Sequence, residues 1–132
     1  MAGSQLDGAG MAKLKTLEEA TLGVQRVHAL VERLALEVKQ QGKHTGQHIH
    51  SIRRALEPLV GLLKPQFGLI SDQAAMVNLA ATRGGSEQMR VRTLREGVAS
   101  LRQALEIAER KVREQHGTEG SGREAEEGAD GA

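Results

Sequence analysis

The chain has 132 residues, with 18 Lys and Arg against 17 Asp and Glu, one Phe, and no Cys, Trp or Tyr. The absence of cysteine excludes disulfides, thiolate metal sites and cysteine nucleophiles, and no apolar run is long enough to cross a membrane. A core without aromatic rings must be built from Leu, Val, Ile, Ala and Met, which suits helix-on-helix packing better than β-sheets.

The first predicted helix spans about residues 17–41. Residues 1–15 begin with a Gly-, Ala- and Ser-rich stretch that has little to bury, so we expect them to be disordered. The first ten residues lack the charged and apolar regions of a signal peptide. Thr16 and Glu19 fit a capping box at the start of the helix, and Gly42 suits its carboxyl end. Its main apolar line has heptad spacing: Leu17, Ala20, Val24, Val27, Val31, Leu34 and Val38.

A second, weaker apolar line lies on another side of this helix. A surface helix in a small bundle usually has one apolar face. Two faces therefore indicate that the helix has neighbours on two sides, or that one side is reserved for another chain. We predict that Leu22, Leu30 and Leu36 form a surface for a protein partner.

Two shorter helices are predicted next, over about residues 47–63 and 72–83. The first contains Pro58, and because proline removes a backbone donor and crowds the preceding turn, we expect a kink or a break near residues 55–58. The second is apolar nearly all round, which favours burial, and Ser71 or Asp72 suits its N-cap.

The last predicted helix, residues 87–116, organises the fold. Ser86 suits its N-cap and Gly117 its carboxyl end. Its apolar residues recur at alternating steps of three and four over about three heptads, which is the pattern of one helix lying along another. We predict an intramolecular helix seam, which consists of Leu94, Val98, Leu101 and Leu105.

Together these patterns predict an all-α fold, an antiparallel and coiled-coil-like bundle of about four helices, two of them long, over residues 16–117. Residues 118–132 contain five acidic residues and one Arg, so we expect an acidic disordered tail attached to a basic body. We expect an intracellular, cytoplasmic protein without a transmembrane segment.

Three histidines surround the predicted start of the second helix. His44 and His48 would share one helix face and are candidate metal ligands. However, Gly46 weakens the helix at this point, and no carboxylate or cysteine lies nearby in sequence to complete a metal site. A solvated helix start is therefore the favoured interpretation, with a pH-sensitive basic patch as an alternative, and we expect no metal or other cofactor.

The chain carries no enzyme motif such as HExxH or GxSxG, and slender helices offer little concave volume that excludes water. We therefore expect no catalytic site.

Basic residues concentrate near the first and third turns, which meet at one end of an up-and-down bundle. Such a basic end attracts nucleic acid, anionic lipid or an acidic partner, although no aromatic residue stands among the charges to stack on bases. The candidate anion-binding residues are Lys43, Arg53, Arg54, Arg83, Arg90, Arg92 and Arg95. The acidic tail is a candidate intramolecular competitor for this end.

These observations favour a non-catalytic helical protein that acts as an interaction or scaffold subunit, through coiled-coil seams, in a larger or homo-oligomeric assembly. The predicted third helix is about 18 Å long and the last about 45 Å, so one short neighbour does not cover the long seam. The alternative function is nucleic-acid or anion binding by the basic end.

Overall fold

The computed structural model describes residues 7–117, which form four α-helices: α1 (Gly8–Lys39), α2 (Thr45–Leu63), α3 (Gly68–Ala80) and α4 (Glu87–His116). The predicted all-α bundle of four helices, two of them long, is confirmed. The predicted disordered residues 1–6 and the acidic tail 118–132 lie outside the described residues.

The helices form a four-membered ring, in which α1 and α3 each pack against both α2 and α4. Two contacts fix the direction of α4 relative to α1. Asp7 lies beside His116, whereas Glu32 lies beside Arg95, so the two long helices are antiparallel. One apolar line from each helix fills the centre of the ring.

The structure places the helix seam inside this core. Leu94, Val98, Leu101 and Leu105 are all at most 2% exposed. Opposite them lies the main apolar line of α1, from Leu17 to Val38, which is also buried. The α4 seam is therefore covered by the chain itself, and the predicted bounds of α4 agree with the observed ones because Ser86 Oγ accepts the N–H of Met89 at 3.1 Å as its N-cap.

The start of α1 differs from the prediction, because the helix begins at Gly8 rather than near residue 17. Asp7 is the N-cap and accepts the N–H of Gly10 at 2.6 Å, whereas the Thr16 hydroxyl donates to the carbonyl of Ala12 within the helix. The expectation of disorder is therefore wrong for residues 8–15. Gly10 packs directly against His116, so this segment is held by α4 rather than by its own helix propensity.

The carboxyl end of α1 forms a Schellman motif two residues earlier than predicted. The N–H of Gly42 donates to the carbonyl of Glu37 at 2.9 Å, and the N–H of Gln41 donates to that of Val38 at 3.1 Å. The left-handed position is taken by Gln41, at φ 56°, and not by Gly42 as the sequence suggested. A Cβ at Gly42 would meet only the side chain of Glu37, whose carboxylate would have to move aside.

We expect Gln41→Gly to raise the free energy of unfolding by up to about 1 kcal/mol. A left-handed non-glycine residue costs roughly 1–2 kcal/mol, and the added flexibility of glycine in the unfolded chain offsets about 0.5–1 kcal/mol of that gain. Urea unfolding followed by circular dichroism measures the difference. Gln41→Ala is the matched variant, because it keeps a Cβ in the left-handed conformation and should gain no such stability. An unchanged or lowered stability of Gln41→Gly would contradict the assignment.

Helix α2 continues through Pro58, so the predicted break does not occur. The buried side chains of Ile52, Leu56 and Leu59 lie on both sides of the proline and hold the helix against the core. Because Pro58 has no N–H, the carbonyl of Arg54 lacks its usual donor one turn later. The helix begins at Thr45, two residues before the predicted start.

Helix α3 spans Gly68–Ala80 rather than residues 72–83. Ser71 is not its N-cap. It lies inside the helix, and its hydroxyl donates to the carbonyl of Val60 in α2 at 2.8 Å. The expectation that this helix is buried nearly all round is also wrong, since Met76 and Leu79 are 63% and 58% exposed.

Candidate functional site

The outer face of α1 carries two leucines that the core does not use. Leu22 and Leu36 are 61% and 54% exposed. They are two heptads apart, so they lie on one face of the helix, opposite its buried line. Leu30 was predicted to share this surface, but it is half-buried and turns towards α2. We refer to Leu22 and Leu36 as the α1 outer face.

A groove of about 770 Å³ runs between α1 and α2 on the outside of the bundle. Its apolar floor includes Leu30 from α1 and Ala55 and Leu62 from α2. Arg26 and Arg54 stand on opposite walls, and Glu19 lies at one end. We refer to this cleft as the α1–α2 groove.

Small residues create the α1–α2 groove. Gly23 lets α2 approach α1 closely, because a Cβ at Gly23 would lie 2.5 Å from Cδ2 of Leu59. Farther along α2, Ala55, Pro58 and Gly61 line the groove with little side-chain volume. A Cβ at Gly61 would meet no atom within 4 Å, so the packing of the bundle does not require glycine at that position.

The two arginines of the groove differ from those that hold the bundle together. Within residues 7–117, neither Arg26 nor Arg54 forms an ion pair. By contrast, Arg95 of α4 donates two hydrogen bonds to Glu32 of α1, at 2.7 and 2.9 Å. These bonds hold the pKa of Glu32 below its usual value and raise the pKa of Arg95. Arg26 and Arg54 therefore leave their charges available to a ligand of the groove.

The turns before α2 and α4 do meet at one end of the bundle, where the Thr45 hydroxyl donates to Glu87 Oε2 at 2.9 Å. This basic end contains Lys43, Arg83, Arg90 and Arg92, although Glu87 lies among them. Arg90 donates to the carbonyl of Arg83 at 2.7 Å, and its Nε is buried with no partner among the described residues.

Arg54 and Arg95 do not join the basic end, whereas Arg53 lies beside the last turn of α3, which leads into the turn that carries Arg83. Arg95 is paired with Glu32, Arg54 lies in the α1–α2 groove, and Arg53 Nε donates to Asn78 Oδ1 at 3.4 Å. The acidic tail starts after Gly117, and α4, about 45 Å long, separates Gly117 from the basic end.

The structure places the Glu37 carboxylate next to the two candidate metal ligands, His44 and His48. From the sequence alone, Glu37 was not associated with them. Glu37 accepts the backbone N–H of His44 at 2.9 Å, and its other oxygen lies 3.6 Å from His48 Nε2. The Schellman turn reverses the chain so that the start of α2 lies beside Glu37. The spacing of these residues in the sequence does not indicate this contact. Across residues 7–117, His, Asp and Glu side chains form no group of three that would hold a metal ion.

A terminal clasp joins the beginning of α1 to the end of α4. Asp7 donates its backbone N–H to the carbonyl of His116 at 3.2 Å, and its carboxylate lies 3.1 Å from His116 Nδ1. Lys13 Nζ lies 3.2 Å from His116 Nε2. The hydrogen bond from Gly10, together with that from His116, holds the pKa of Asp7 below its usual value.

We expect the clasp to contribute to stability above about pH 4 and to fail as the pH falls further. A carboxyl whose pKa is lowered by folding stabilises the fold above its unfolded value, about 3.9, and loses this effect as it is protonated. Asp7→Asn keeps an N-capping side chain but removes the charge. The difference in thermal midpoint between wild type and Asp7→Asn should therefore shrink as the pH drops below 4, and a difference independent of pH would contradict the clasp.

The described helices, α1 to α4, include none with both the length and the apolarity required to cross a membrane. The chain matches no protein-family model, no curated protein and no solved structure.

Proposed function

We propose that this chain is a non-catalytic helical interaction protein that presents the outer sides of α1 and α2 to another protein. The observation that carries the proposal is the apolar surface left on α1 after its core line is buried, namely Leu22 and Leu36. Single exposed leucines are common on protein surfaces. Here two occur on one helix face, and Leu22 lies within one turn of the α1–α2 groove.

The seam of α4 does not support an intermolecular coiled coil, because it is buried within the bundle. An interaction function therefore depends on the α1 outer face and the α1–α2 groove. Both are framed by rigid helices, which hold a binding surface more precisely than loops do.

Site-specific photocrosslinking tests the proposal. A photoreactive phenylalanine analogue at Leu36 should form a discrete adduct with a protein in cells, and the mass of that adduct tells whether the partner is a second copy. Gln103 is the matched control, since it is exposed on the outer side of α4. The proposal fails if positions 22 and 36 give no adduct, or if position 103 gives the same adducts.

Anion binding at the basic end is the second candidate function, and the contact between Thr45 and Glu87 favours it by uniting the two turns. We expect the triple variant Lys43→Glu, Arg83→Glu and Arg92→Glu to elute from heparin at lower salt than wild type. The control reverses three exposed charges on the far half of α4, at Arg102, Arg110 and Lys111. Equal losses in the two triple variants would exclude a specific role for the basic end.

A further inference from the structure

Two residues of α2 that line the α1–α2 groove, Pro58 and Gly61, are unfavourable in a helix interior, and the packing of the bundle does not explain them. Glycine in a helix interior costs about 1 kcal/mol relative to alanine, yet a Cβ at Gly61 would meet nothing within 4 Å. Pro58 leaves the carbonyl of Arg54 without its usual donor. Both residues add little side-chain volume to this side of the groove, which leaves room for another helix.

The α1–α2 groove has the dimensions of a short helix. Its α1 wall extends over residues 19–30, which is about 16 Å, or three helical turns. The floor is apolar at Leu30, Ala55 and Leu62. An amphipathic helix binds such a groove through apolar side chains spaced at three, four and seven residues.

Helix α3 displays such a pattern on the side that faces away from the core. The α3 outer stripe consists of Leu69, Asp72, Met76 and Leu79. The steps are three, four and three, so the four side chains share one face. Its apolar members are 85%, 63% and 58% exposed, respectively, and the stripe extends over about 15 Å.

The charges of the two surfaces are complementary. Asp72 is the only charged residue of α3, and it lies within the α3 outer stripe. Arg26 and Arg54 stand on the two walls of the groove with no ion pair among residues 7–117. An arginine binds a carboxylate through two parallel hydrogen bonds, so an α3 helix lying in the groove brings Asp72 between two suitable donors.

We propose that the α1–α2 groove binds the α3 outer stripe of a second copy of this chain. This inference rests on the proposed function and names the partner of the groove. The two surfaces lie on different sides of the bundle, because α3 contacts α2 and α4 but not α1. Because the contact joins two different surfaces, copies associate groove to stripe, which gives a reciprocal pair, a larger ring or an open chain.

The acidic tail is a poorer occupant of the groove. Residues 118–132 contain no Leu, Ile, Val, Met or Phe, so they offer nothing to cover the apolar floor. Their carboxylates alone would form exposed ion pairs, which are worth about 0–1 kcal/mol.

Light scattering behind size exclusion tests the proposal with two variants of the full chain. Gly61→Leu fills the groove and leaves α3 intact, whereas Met76→Lys disrupts the α3 outer stripe and leaves the groove intact. Neither position belongs to the core. Unchanged circular dichroism and thermal midpoints that do not fall verify that both variants fold. Gln103→Leu is the control, because it adds the same apolar side chain to the outer side of α4.

Wild type and Gln103→Leu should show a molar mass that rises from one chain to two or more as concentration increases. Each groove or stripe variant should remain a single chain by itself. Their equimolar mixture should stop at two chains, because only one intact stripe and one intact groove can meet. Wild type that remains a single chain, a variant that associates with itself, or a mixture that does not associate would overturn the proposal. Adducts to a different protein at Leu36 would still support the interaction function.

Discussion

Leu101→Ala is expected to lower the free energy of unfolding by about 2–5 kcal/mol, the range for removing a fully buried leucine side chain. Leu101 is 1% exposed at the middle of the α4 seam. Its loss leaves a cavity that the helices close only in part, since they are held in place by neighbouring leucines and valines. Urea unfolding followed by circular dichroism measures the effect.

Gln103→Ala provides the control for the seam. Gln103 is two residues farther along the same helix and is exposed, so its truncation should change stability by no more than about 0.5 kcal/mol. Comparable effects of the two substitutions would mean that α4 does not pack through this seam.

Gly23→Leu is expected to destabilise the bundle by about 1–3 kcal/mol or more, as overpacking of a filled interface does. A Cβ at this position would lie 2.5 Å from Cδ2 of Leu59, and Leu59 is itself buried. The added side chain must therefore push α2 away from α1. The thermal midpoint and the urea midpoint should both fall.

Gly61→Leu is the matched control in the same pair of helices. Its side chain enters open space in the groove, and leucine is the better helix former, so we expect stability to be unchanged or raised by up to about 1 kcal/mol. If Gly61→Leu destabilised as much as Gly23→Leu, the α1–α2 groove would not be open.

The fold was predictable because each of the two long helices repeats its main apolar residues along one line, which is a property of the sequence alone. The start of α4 was also predictable, because its N-cap is a contact between Ser86 and Met89, which are only three residues apart. The start of α1 was not, because the contact between Gly10 and His116 joins residues that are far apart in sequence. Likewise, α2 passes through Pro58 because tertiary packing outweighs a local preference.

The candidate site was predictable only in part. Helical spacing placed Leu22 and Leu36 opposite the buried line, but it gave Leu30 the same role although this residue lies beside α2. The groove depends on which residues of α1 and α2 stand opposite one another, and that register is a property of the assembled bundle. Likewise, the sequence could not show that Arg95 pairs with Glu32, 63 residues away, and so does not belong to the basic end.

Cysteine accessibility tests the central claim, that another protein covers the outer side of α1, most directly. The natural chain has no cysteine, so a single Leu36→Cys or Gln103→Cys variant reports on one position without background. Both should react rapidly with a maleimide in the dilute purified chain. In cells, Leu36→Cys should be protected while Gln103→Cys remains reactive; equal reactivity of the two in cells would contradict the account.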